Sequence, residues 1–155
     1  MSTSRADEHE FLDTEEWQGW NALLMVNRTV LQALDASLRQ EHGIAVTEFD
    51  VLITLFNAPD RRLRMTALAE QALLSPAGTT HLVTRLERDG LVRRDADPTD
   101  GRKWFTVLTD KGDATLRAAR ATHNQIVRQS FTAMTTAAER RAMTMLWRRL
   151  SAGSD

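Results

Sequence analysis

Residues 93–109, RRDADPTDGRKWFTVLT, constrain the fold of this chain more than any other stretch. Two runs with strand character, LVRR ahead and WFTVL behind, flank DADPTDG, whose Asp, Pro, Thr and Gly each favour a turn for a separate backbone reason. The expectation is a β-hairpin with a long tip, followed at once by Arg102 and Lys103. Directly ahead, residues 66–90 read as a short helix, a tight turn at LLS and a second helix, PAGTTHLVTRLERD. Ser75 serves as its N-cap, Pro76 occupies the first helical position and Gly90 ends it. Helix, turn, helix and hairpin in this order form a winged helix-turn-helix, a mainly α fold with a small β-hairpin wing.

Long helices flank that unit. The first opens at Asp13 or Thr14, with Glu15 and Glu16 at its positive end, and closes near Gly43. Trp17, Trp20, Leu24, Leu31, Leu34 and Leu38 recur at steps of 3, 4, 7, 3 and 4, and Asn27 is the polar residue skipped by the double step. Leu23, Val26 and Val30 widen the face. So long a stripe requires a large partner surface, either core or a second subunit. Thr47 reads as the cap of a second helix that stops ahead of Pro59. The arginine-rich link DRRLRM suggests a short strand through Leu63, and Thr66 starts the next helix. After the hairpin, Thr109 caps a helix running to roughly Met134. Thr136 and Glu139 form a capping box for the last helix, striped by Met143, Leu146, Trp147 and Leu150.

Net charge is −1 in 155 residues, which seems wrong for a nucleic-acid binder until its distribution is read. Residues 1–60 hold 3 Lys/Arg against 11 Asp/Glu, residues 61–103 hold 9 against 6, and residues 104–155 hold 8 against 4. The hairpin lies in the basic part, and attraction to phosphate follows the local field. The absence of cysteine excludes disulfides, thiol catalysis and Cys-ligated zinc. The polar, acidic start MSTSRADEHEF is no signal peptide, and no apolar run approaches the ~20 residues of a membrane span. A cytoplasmic location without membrane association is expected.

In the second helix of the pair, Leu82, Val83 and Leu86 face inward. Outside remain Ala77, Thr80, His81, Thr84 and Arg88, small or hydrogen-bonding groups with little acid before Glu87. A helix entering a major groove needs such a face, whereas a solvated helix usually carries more Glu and Lys. DNA binding is the reading this pattern favours over a winged helix used only for protein contacts.

The segment from about Val46 to Thr109 resembles the MarR family of bacterial transcriptional regulators. Its wing motif, D-x-R followed by five residues and L-T, is met by Asp100-Gly101-Arg102, KWFTV and Leu108-Thr109, and LSPAGTTHLVTRLERDGLVRR is similar to the family's recognition helix and first wing strand. The resemblance implies a single domain over 1–155, with dimerisation helices over about 14–42 and 110–152 around a DNA-binding lobe over about 46–109. It implies an obligate homodimer on a pseudo-palindrome, with the stripes at 17–38 and 143–150 serving as dimer surface as well as core. It further implies that Arg102 enters the minor groove and that Asp100 orients it, or another arginine, by an ion pair, with Lys103 beside them. Thr80, His81 and Thr84 would face the major groove. Ser75 and the start of its helix would lie near phosphate. Arg85, at the edge of that face, either contacts DNA or pairs internally.

Many members of the family bind an organic, often aromatic and anionic effector that relieves repression. Trp17, Trp20, Asn21 and Leu24 are the candidate lining here, an aromatic surface with one polar group; the competing reading makes both tryptophans core or dimer contacts. An enzyme is not expected. His9, His42, His81 and His123 are not paired at i, i+3 or i+4, and there is no H-E-x-x-H, G-x-S-x-G or P-loop pattern. No cofactor and no metal site are expected. A metal-responsive regulator built from ligands distant in sequence is the alternative, as is a winged-helix interaction module without ligand sensing.

Overall fold

The computed structural model describes residues 12–72 and 74–153. The N-terminal stretch 1–11, with His9, and Leu73 of the turn lie outside the described residues. Six helices and three strands follow one another as α1 (Thr14–His42), α2 (Val46–Asn57), β1 (Arg62–Arg64), α3 (Met65–Gln71), α4 (Pro76–Arg88), β2 (Val92–Asp97), β3 (Asp100–Leu108), α5 (Asp110–Val127) and α6 (Ala137–Ala152). A 3₁₀ turn, Pro59–Arg61, precedes β1, and a π turn, Arg128–Thr132, ends α5.

Local chemistry accounts for most of the element ends. Asp13 and Glu16 exchange hydrogen bonds with each other's backbone at the start of α1 (2.9 Å each), and Gly43 closes that helix in the left-handed conformation, φ 69°. Ser75 Oγ accepts from Gly78 N at 3.1 Å, Thr109 Oγ1 from Gly112 N at 3.0 Å, and Thr136 and Glu139 form their capping box. The cap expected at Thr47 is corrected. Ala45 is the N-cap of α2, and its N–H donates to the Glu48 carboxylate at 2.6 Å, so a side chain three residues into the helix supplies the acceptor. Helix α3 begins at Met65, one residue ahead of Thr66. Helix α5 is shorter than expected, because the backbone widens into the π turn before α6.

The sheet has the order β1-β3-β2, antiparallel throughout. Pairing runs from Val92–Leu108 to Ala96–Trp104, and Asp97 opposes Asp100. The long hairpin tip is thereby corrected. Cross-strand pairing draws Asp95–Asp97 and Asp100–Lys103 into the strands and leaves Pro98-Thr99 as the connection. The link to β1 holds two consecutive left-handed residues, Asp60 and Arg61 (φ 51° and 53°). Arg61 is tied down there by Asp113 at 3.3 Å and by the Phe56 ring at 5.0 Å.

The core lies in the lobe. Leu38 from α1, Val51, Leu52 and Leu55 from α2, Leu68 from α3, Val83 and Leu86 from α4, and Leu116 from α5 are completely buried. The apolar stripe of α1 belongs to this core only at its end, through Leu34 and Leu38. Trp17, Trp20, Leu24 and Leu31 are exposed. Helix α6 contains no buried residue, so the stripe at 143–150 is not core of the single chain. Trp17 at 56% and Trp147 at 61% exposure leave a broad apolar face bare.

Candidate nucleic-acid interface

Helix α4 presents the face expected of it. Val83 and Leu86 are buried and Leu82 is half-buried, while Ala77, Thr80, His81, Thr84, Arg85 and Arg88 are exposed. Ser75, also exposed, stands at the helix start, where it fixes Gly78 through its hydroxyl and receives the Thr79 hydroxyl on its carbonyl (2.9 Å).

Of the two readings for Arg85, the geometry favours the internal one. Its Nε donates to Glu48 Oε1 at 2.8 Å, and Glu48 is 5% exposed with its second oxygen on Ala45 N. The carboxylate therefore pins α4 to the start of α2 and fixes the guanidinium at the edge of the exposed face of α4. Arg88 pairs with its neighbour Asp89, at 3.1 Å.

The wing departs from expectation in its ion pairs. Asp100 does not hold the Arg102 guanidinium. It accepts from Arg102 N (3.1 Å) and pairs with Lys103 Nζ (3.1 Å) instead. Arg102 itself is exposed, with no ion pair for its guanidinium among the described residues. The arginine–carboxylate pair that organises the wing is a different one. Asp97, 3% exposed, accepts from the Thr99 hydroxyl (2.6 Å) and amide (2.8 Å) and from Arg64 of β1. The Thr99 hydrogen bonds, joined by the Arg64 charge, hold its carboxyl down to about 2. Arg64 and Arg62 also lie over the Phe105 ring, at 5.5 and 4.9 Å.

Four residues that build this surface escaped the reading of the sequence: Glu48, Arg64, Asp97 and Arg94. Asp97 carried a local signal, since Asp two residues ahead of Thr across a proline is an Asx-turn pattern. The others act across the fold. Arg94 of β2 donates through Nη2 to Thr84 Oγ1 (2.8 Å), and its Nε lies 3.3 Å from Glu87 Oε2, so the wing's base is tied to the exposed face of α4.

The effector candidates are only partly brought together. A groove of about 790 Å³ lies between α1, Phe131 and α6, lined by Trp20, Leu23, Val26, Met143 and Leu146 among others. Trp20 belongs to it; Trp17, Asn21 and Leu24 do not, because they project from other sides of α1. Among the described residues that line it, Asn27 is the one amide and none is charged. The described histidines are accounted for separately. His42 Nε2 lies 2.8 Å from Thr122 Oγ1, His123 stacks on Phe49 with centroids 4.4 Å apart, and His81 stands exposed on α4. Among the described residues no three His, Cys, Asp or Glu gather as metal ligands, and no helix is long and apolar enough to cross a membrane.

Comparison with known proteins adds an independent line. Residues 44–104 match the family model described as "MarR family". The chain is 29% identical over 126 residues to the uncharacterised HTH-type transcriptional regulator YkoM of Bacillus subtilis, covering 80% of each protein. It is similar to the crystal structure of Sco3205, a MarR family transcriptional regulator from Streptomyces coelicolor in complex with DNA. That match has a TM-score of 0.87 and 33% identity, over 95% of this chain and 92% of the other. AbsC, a MarR family regulator of the same organism, matches with a TM-score of 0.84 and 28% identity, over 93% and 97% of the two chains.

Proposed function

Because this chain belongs to the MarR family, we propose that it is a transcriptional regulator that binds a specific double-stranded DNA sequence as a homodimer. One observation carries the reading: the exposed hydrogen-bonding face of α4 stands beside a wing ending in an unpaired arginine, and Arg94 ties the two together. A recognition helix in a major groove and an arginine in the adjacent minor groove fit that arrangement. Ser75, Ala77, Thr80, His81 and Thr84 are the groove-facing set, with Arg88 and Lys103 toward phosphate and Arg102 in the minor groove. Arg85 serves from its Glu48 anchor, and Asp100 shapes the wing by holding Lys103. The bare apolar face of α1 and α6 is the subunit interface, and a DNA site of two pseudo-palindromic halves about one helical turn apart, ~34 Å, follows from the two-fold symmetry.

We further infer that the protein is a repressor relieved by a small molecule. The groove beside Trp20 would suit an apolar or aromatic effector better than an anionic one, because an anion there would lose its hydration with no cation to replace it. The deciding experiment is selection of bound duplexes from a random pool by the full chain. A recovered inverted repeat supports the reading, and a pool that never enriches overturns it.

A further inference from the structure

We infer that Thr84 reads the 5-methyl group of a thymine with its own γ-methyl, and that Arg94, by engaging its hydroxyl, is the positioning residue that sets that methyl; this rests on the DNA-binding reading above. A threonine hydroxyl has one proton and two lone pairs. The Thr84 proton goes to the Thr80 carbonyl, 2.9 Å away, and one lone pair receives Arg94 Nη2 at 2.8 Å. The arginine is held in turn. Its Nε faces Glu87 Oε2 at 3.3 Å, its side chain is 33% exposed, and its backbone is paired with Thr106 in the sheet. The hydroxyl therefore gives its proton within the helix and has one of its two lone pairs taken by the guanidinium, which leaves a single acceptor site for a base.

What the exposed side chain retains besides is its methyl group. Thymine alone displays a methyl in the major groove, and apolar contact with threonine is one way that methyl is read. Hydrogen-bonded readout then falls to neighbours such as His81, which is exposed three residues earlier on the same helix. Thr84 has been placed here among groove-facing residues for its hydroxyl chemistry; the geometry assigns the opposite half of the side chain.

Two substitutions separate the halves. Thr84→Ser keeps the hydroxyl, and with it the bonds to Thr80 and Arg94, and removes only the methyl. Thr84→Val keeps the methyl and removes both bonds. Each is measured with the full chain on the selected duplex and on duplexes in which each thymine in turn is replaced by deoxyuridine, with thermal unfolding as the control for folding. The expected result for the wild type is a loss of about fourfold at one thymine per half-site, the factor that burial of a single methyl-sized group gives. Thr84→Ser should show that loss on the thymine duplex and be indifferent to uridine at that position, while Thr84→Val, whose rotamer in a helix is fixed without Arg94 whereas threonine divides between two, binds and discriminates like the wild type. Arg94→Met should shrink the thymine-to-uridine ratio at that position without changing it elsewhere, and Arg94→Lys, which still donates to Thr84, should restore it. The inference is overturned if Thr84→Val loses affinity while Thr84→Ser does not, or if uridine affects Thr84→Ser as it affects the wild type. A site that is selected but contains no thymine coupled to Thr84 overturns this inference alone; a pool that never enriches overturns the DNA-binding reading and this inference with it.

Discussion

Arg102 and Lys103 are neighbours in sequence and differ in circumstance: Asp100 pairs with the lysine, while among the described residues no carboxylate pairs with the arginine's guanidinium. Arg102→Ala should weaken binding to the selected duplex by about 1–3 kcal/mol in a titration, while thermal unfolding stays within about 0.5 kcal/mol, as for most exposed positions. Arg102→Lys should recover only part, since it keeps charge without the planar fork. Asp97 makes the contrasting case, a buried carboxylate that holds the wing's turn and touches no DNA in this reading. Its carboxyl is depressed in the folded state, so the stabilisation it gives is complete above the ordinary aspartate value of 3.8 and is lost as pH falls toward about 2. Unfolding curves recorded across that interval should show a steeper loss for the wild type than for Asp97→Asn, and equal slopes would mean that the turn does not depend on the charge. The sequence made the tip's turn character plain but not which of its three aspartates is buried, because that depends on Arg64 arriving from a strand 33 residues away.

Helix caps were legible, since Asp13, Ser75, Thr109 and Thr136 act on amides within three residues. Thr47 misled because a threonine ahead of an apolar run satisfies the capping pattern equally well; the nearby Glu48 reaches back to Ala45 and moves the boundary. Strand ends were illegible in the hairpin for a related reason, as turn-forming residues can still pair when their partners on the other strand are in register. The packing of α5 against the wing's base was not foreseen either. A side chain at Gly112 would place its Cβ 2.1 Å from the Leu91 carbonyl oxygen and 2.8 Å from Leu108 Cδ1, so the helix can approach the strand only with glycine there. Gly112→Ala should cost about 1–3 kcal/mol or more by overpacking, visible as a lower denaturant midpoint with an unchanged slope. A wild-type midpoint would show that the junction can open without penalty.

Across the whole molecule, acid is concentrated before residue 61 and base after it, so the helix pair and wing lie in the basic part of the chain, where the local field favours phosphate. Affinity for the selected duplex should fall steeply between low and moderate salt, and a nearly flat dependence would leave little room for phosphate contacts. The apolar stripes were legible as surfaces needing a partner, but one sequence could not divide them between core and interface; the division falls near Val30 in α1 and leaves all of α6 outside the core. Leu146→Glu should therefore abolish the dimer in sedimentation equilibrium, because a charge tolerated on the bare chain would be desolvated in the assembly; an intact dimer would remove α6 from the interface. Helix α1 joins the two regions as a continuous rod: its 29 residues, at about 1.5 Å each, span about 43 Å. Its first turns lie on the apolar face and its last, through Leu34 and Leu38, are embedded in the lobe. Such a rod is a lever. A tilt of about 5° at the tryptophan end carries the far end through about 4 Å, slightly more than the ~3.4 Å rise of one base pair. If the groove beside Trp20 takes an effector as proposed, a tilt of that size would reach the lobe through Leu34 and Leu38 with no contact between the effector and α4.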